Sequence, residues 1–101
     1  MSAAQVKSLG DGRIQASGVL DFDSVPMLLS EIEALSYDAQ AIAVDLRDVQ
    51  RSDSAGVALL LAWMRKAREA QRDIRFLNMP SQMFNIARVS GLDAILPLAR
   101  E

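Results

Sequence analysis

The 101-residue chain contains no cysteine and no histidine. Without cysteine it has no disulfide, no thiol nucleophile and no thiolate metal ligand. Without histidine it lacks the commonest general base and metal ligand, which excludes Ser-His and Cys-His catalytic pairs. A glycine-rich phosphate loop is missing as well. We therefore expect a protein that is not an enzyme and that binds no metal and no cofactor.

Charge and hydropathy narrow the class of protein further. The formal net charge of −2 provides no overall attraction to nucleic acid. The apolar runs are shorter than the ~20 residues that cross a bilayer, and residues 1–10 lack the apolar core of a signal peptide. Apolar residues make up 50% of the chain, as in a packed domain. These features predict a single cytoplasmic domain over residues 1–101, without direct membrane insertion.

Apolar periodicity predicts the element order β-β-α-β-α-β-α. The predicted strands cover 5–9, 13–20, 41–46 and 73–79, and the predicted helices cover 25–35, 55–71 and 81–89. Ser24 is expected to cap the first helix, and Gly91 to adopt a left-handed conformation after the last. Strands near 41 and 73 that are joined by a helix should pair in parallel. The pattern predicts an α/β fold with a single mixed β-sheet and helices packed mainly on one face.

The junction between the third strand and the second helix concentrates the candidate functional residues. Polar residues follow the apolar strand, and the helix then begins at Asp53-Ser54-Ala55-Gly56. We expect Ser54 to be the N-cap and Asp53 either to assist the cap or to attract a basic group of a partner. Gly56 costs about 1 kcal/mol relative to alanine in a helix. It predicts close packing on the sheet or, as a weaker alternative, close approach of a partner.

The helix predicted over 55–71 carries more apolar residues than one buried face needs. Either neighbouring elements cover its flanks, or an exposed apolar patch docks a partner. Trp63 favours docking because tryptophan is enriched at binding hot spots. The predicted partner-binding residues are Asp53, Ser54, Ala55, Gly56, Leu59 and Trp63.

Three segments, in this order, resemble the STAS-domain family of sulphate transporters and anti-sigma factor antagonists. They are Gly18-Val19-Leu20-Asp21-Phe22, Ile42-Ala43-Val44-Asp45-Leu46 and Asp53-Ser54-Ala55-Gly56-Val57. The chain length, the run 56–61 and the ending 92–97 are most similar to the small STAS subunit of the Mla phospholipid-transport ABC system. The resemblance implies a STAS fold and a non-enzymatic subunit that binds and supports the transporter's ATPase subunit at the inner membrane.

The same resemblance leaves a second function open. Ser54 aligns with the hydroxyl that is phosphorylated in anti-sigma factor antagonists, whose partner is an anti-sigma factor kinase. A phosphate on Ser54 would meet the free N–H groups and the positive dipole end of the helix. Ala55 stands where the antagonists usually carry a second serine, which favours the transporter interpretation.

Overall fold

The computed structural model describes residues 3–35 and 39–101. This part of the chain forms strands β1 (Gln5–Gly10), β2 (Arg13–Leu20), β3 (Ala41–Ser52), β4 (Asp73–Leu77) and β5 (Leu98–Ala99), and helices α1 (Val25–Ala34), α2 (Ser54–Glu69) and α3 (Ser81–Val89).

The strands form one mixed sheet in chain order, β1-β2-β3-β4-β5. The β1–β2 pair is antiparallel, and the other three pairs are parallel. The predicted parallel pairing of the strands near 41 and 73 is confirmed by the register Ala41↔Asp73. Right-handed crossovers between strands that lie in chain order place all the intervening helices on one face. Accordingly, α2 contacts both α1 and α3, and the predicted fold class is confirmed.

Strand β3 continues to Ser52 rather than ending at Leu46. The polar residues Arg47 and Asp48, which follow the predicted end of the strand, lie exposed on β3. The pairing shifts from Gln15↔Asp45 to Ser17↔Asp48. This bulge keeps the buried Val49 in register with the core.

The chain after α3 contributes an element that the sequence did not predict. Residues Leu98–Ala99 pair with Phe76 and Leu77 as the short strand β5. Gly91 has a φ of +73°. The N–H of Leu92 donates to the carbonyl of Ala87 at 2.8 Å. The predicted left-handed end of α3 is therefore confirmed.

The other two helices begin or end differently from the predictions. Ser24 occupies the N-cap position of α1, but its side chain makes no capping hydrogen bond. Its hydroxyl donates instead to the carbonyl of Val19, 2.9 Å away. Helix α2 begins one residue early and stops at Glu69 because Gln71 adopts a left-handed φ of +58°.

Candidate functional site

The candidate site lies where the carboxyl ends of β2 and β3 meet the beginnings of α1 and α2. Open parallel sheets commonly bind their ligands at this edge. The N–H of Asp53 donates to the carbonyl of Leu20 at 3.1 Å, which joins the two strand ends. The edge therefore brings the predicted residues Asp53 and Ser54 next to the β2–α1 loop.

Asp53, and not Ser54, is the N-cap of α2. Its Oδ1 accepts hydrogen bonds from the N–H groups of Ala55 at 2.8 Å and Gly56 at 3.4 Å. Its Oδ2 accepts from the N–H of Phe22 at 3.3 Å. The prediction that Ser54 caps the helix is wrong because a carboxylate serves the helix and the neighbouring loop at once, whereas a single hydroxyl oxygen does not.

Ser54 is the first residue of α2 and is exposed. Ala55 and Gly56 behind it are buried against the domain. A partner or a modifying enzyme that approaches this end of α2 therefore meets Ser54 before it meets either of them.

Gly56 is required by close packing inside the domain. A Cβ at this position would lie 2.0 Å from Ser52 Oγ and 2.9 Å from both the Cβ and the carbonyl oxygen of Leu20. No side chain fits at these distances unless the neighbours move. The start of α2 is therefore pressed onto the ends of β2 and β3, and Gly56 does not face a partner.

Gln82 in the first turn of α3 holds the end of β3 that leads to Asp53. Its Oε1 accepts from the N–H of Ser52 at 2.9 Å, and its Nε2 donates to the carbonyl of Ser52 at 2.7 Å. The side-chain amide thus makes the two hydrogen bonds with Ser52 that the backbone of a neighbouring strand would otherwise make. The sequence carried no signal for this contact, because a lone glutamine early in a helix is usually solvated.

Leu59 and Trp63 do not belong to an exposed docking surface. Their relative exposures are 2% and 1%, and the Trp63 ring packs edge-on against Phe76 with the centroids 6.2 Å apart. The prediction that they face a partner is wrong because α1 and α3 flank α2 on both sides. The wide apolar arc of α2 is therefore mostly core.

The exposed apolar residue at this edge is Phe22, with a relative exposure of 71%. It lies at one end of a groove of about 290 Å³ between α1 and α2. This α1–α2 groove is lined chiefly by Phe22, Val25, Leu29, Ala58, Leu59 and Ala62. Phe22 appeared in the sequence only as part of a family motif, and nothing in its local pattern indicated exposure.

Two carboxylates, Asp21 and Asp23, flank Phe22 in the chain. Asp21 Oδ1 accepts from the N–H groups of Asp23 and Ser24 at 3.0 and 2.9 Å, and Asp23 is exposed.

Within residues 3–35 and 39–101, no group of three or more acidic side chains is placed to hold a metal ion. No helix in this same part of the chain is long and apolar enough to cross a membrane.

The fold and this edge define a small α/β domain whose candidate site is a loop, a helix start and an apolar groove. A family model described as "Mlab, STAS domain" matches residues 3–97. The chain therefore belongs to the STAS-domain family. No curated protein matches it.

Solved structures with the same fold include three of anti-sigma factor antagonists. The unphosphorylated form of the antagonist SpoIIAA is 20% identical, with a TM-score of 0.76 over 98% of this chain and 88% of that one. The phosphorylated form of SpoIIAA, a Bacillus cell fate determinant, is 21% identical, with a TM-score of 0.70 over 98% and 91%. An anti-sigma factor antagonist from Mycobacterium paratuberculosis is 26% identical, with a TM-score of 0.75 over 94% and 82%.

Proposed function

We propose that this protein is an MlaB-like subunit that binds the ATPase of an Mla-type phospholipid ABC transporter. It stabilises or regulates that ATPase and performs no catalysis itself. In this role it is cytoplasmic and reaches the inner membrane only through its partner. The description of the matching family model supports the Mla assignment. The exposed Ser54 beside the exposed Phe22 is the observation that supports binding through the edge at α2.

The binding surface can be tested without disturbing the fold. Ser54→Glu adds a carboxylate at a helix N-terminus, which the helix dipole favours by about 0.3–1 kcal/mol. The same carboxylate opposes a tightly packed partner, because an unpaired charge buried at an interface is costly. Ser54→Ala removes a hydroxyl that does not cap the helix.

The experiment is a pull-down of the MlaF-like ATPase with tagged wild-type protein and both variants, alongside thermal melts. We expect Ser54→Ala to retain the ATPase and Ser54→Glu to lose most of it, while both variants stay folded. Full retention by Ser54→Glu would place the interface elsewhere. No capture by the wild type would overturn the transporter function.

A second candidate function is supported by the same exposed hydroxyl. Antagonist structures share this fold, and one of them is a phosphorylated form. In this alternative an anti-sigma factor kinase is the partner, and its phosphorylation of Ser54 switches the protein. Incubation with the cognate kinase and ATP, followed by mass spectrometry, tests it. One phosphate that is absent from Ser54→Ala favours the antagonist, and an unmodified wild type argues against it.

A further inference from the structure

We propose that the α1–α2 groove receives an amphipathic helix of the partner, with a basic residue at the end that meets Asp23. The inference rests on the proposed function in that the helix belongs to the transporter ATPase. Of the predicted partner-binding residues, Ala55 and Leu59 line this groove, and both are buried.

The groove presents apolar surface that the domain itself does not cover. Phe22 is 71% exposed, Ala58 is exposed, and Val25 and Leu29 are partly exposed along the opposite wall. Leu59, at 2% exposure, lies in the floor. Aromatic side chains, including phenylalanine, are enriched at protein interfaces.

The dimensions of the groove fit a helix better than a strand or a loop. On α2 the lining residues Ala55, Ala58, Leu59 and Ala62 recur at the spacing of one helix face. At 1.5 Å per residue they extend over about 10 Å, or two turns. The three alanines leave room for another helix to approach at the usual interaxial distance of about 8–10 Å.

Charge sets the chemistry and the direction of the occupant. Asp21 and Asp23, the chain neighbours of Phe22, line a neighbouring depression together with the cation Arg51. Asp53 is occupied as the cap, and Asp21 Oδ1 accepts the N–H groups of Asp23 and Ser24. The exposed Asp23 is therefore the carboxylate that remains to attract a basic side chain. At the far end, Lys66 pairs with Glu33 at 3.1 Å. A basic residue on the partner helix therefore fits the Phe22 end.

Two designed peptides test the groove independently of the ATPase. Both are amphipathic helices of about four turns, identical except that one carries two lysines at one end and the other carries two glutamates there. We expect the lysine peptide to shift the amide NMR signals of Phe22, Leu29, Ala58 and Ala62. It should bind about two- to fivefold tighter than the glutamate peptide, the effect of one exposed ion pair.

Variants of exposed residues keep the test free of folding effects. Phe22→Ser and Ala58→Glu should weaken peptide binding about tenfold or more, and Asp23→Lys should reverse the preference between the peptides. Val89→Ser, which removes an apolar side chain on α3 that is 84% exposed, is the matched control and should change nothing. Absence of shifts in the groove, or full binding by Phe22→Ser, would overturn the proposal.

The ATPase pull-down with the same variants separates this proposal from the proposed function. Capture that Phe22→Ser and Ala58→Glu do not reduce leaves the transporter function standing and rejects the groove as its interface. Peptide binding in the groove without capture of the ATPase keeps the helix-binding groove and rejects its assignment to the transporter.

Discussion

Arg13 and Glu101 form a two-point ion pair across the sheet face that the helices leave open. Arg13 Nη2 lies 2.7 Å from Glu101 Oε1, and Nη1 lies 3.1 Å from Oε2. Since Arg13 begins β2 and Glu101 follows β5, the pair spans the two strands between them. The backbone N–H of Glu101 also donates to Asn78 Oδ1 at 3.0 Å. Together these contacts fasten the end of β5, which is only two residues long.

The Glu101 contact predicts that the end of the chain loosens in acid. The hydrogen bond from Arg13 holds the pKa of Glu101 below its ordinary value of 4.5, and Arg13, Arg75 and Arg47 add electrostatic attraction. A lowered pKa in the folded state means that the stabilisation is complete above the ordinary pKa and is lost as the pH falls through the folded value. We expect the protection of the Ala99 amide, measured as its exchange rate relative to that of an unfolded amide at the same pH, to fall below about pH 4.5 in the wild type. In Glu101→Gln this protection should be low at every pH. If the variant kept the acid dependence of the wild type, Glu101 would not be the titrating group.

A second prediction separates Asp53 from Ser54. Asp53→Ala removes the N-cap and the bond to Phe22, so it should lower the free energy of unfolding by about 0.5–2 kcal/mol. Ser54→Ala touches neither contact and should stay within about 0.5 kcal/mol of the wild type. Urea titrations of the two variants make the comparison. Equal losses of unfolding free energy in the two variants would mean that Ser54 also caps the helix.

Gly56→Ala should destabilise the protein although alanine is the better helix former. Its Cβ would clash with Ser52 Oγ and with the backbone of Leu20, and overpacking of this kind costs about 1–3 kcal/mol. The companion variant Ala58→Gly, on the exposed side of the same helix, should lose only about 1 kcal/mol of helix propensity. Thermal and urea unfolding measure the stability of both variants. A gain in stability from Gly56→Ala would mean that α2 does not press onto the sheet.

Removal of the Gln82 amide should loosen the end of β3 that precedes Asp53. Gln82→Ala leaves the N–H and the carbonyl of Ser52 without this partner, which costs about 1–3 kcal/mol for a buried group. We expect faster amide exchange at Ser52 and Asp53, while exchange in β4 stays near the wild-type rate. The control is Ser81→Ala at the neighbouring exposed position. If the amides of Ser52 and Asp53 exchange at the same rate in both variants, Gln82 does not hold the end of β3.

Local signals in the sequence were sufficient for much of the fold. The 81–89 helix and the left-handed Gly91 were predicted because their determinants lie within a few residues of one another. The parallel pairing of β3 with β4 followed from an apolar strand, a helix and another strand in succession. The start of α2 as the candidate site was likewise visible in the run Asp53-Ser54-Ala55-Gly56.

Tertiary structure decided which residues of that site are exposed and which are buried in the core. Asp53 became the cap because the N–H of Phe22, 31 positions earlier, needs the second carboxylate oxygen. Trp63 is core because α1 and α3 close over both flanks of α2, which periodicity along one helix does not reveal. The Arg13–Glu101 pair joins residues 88 positions apart. Such contacts depend on how distant segments meet, whereas helix ends and strand pairing depend mainly on neighbours in the chain.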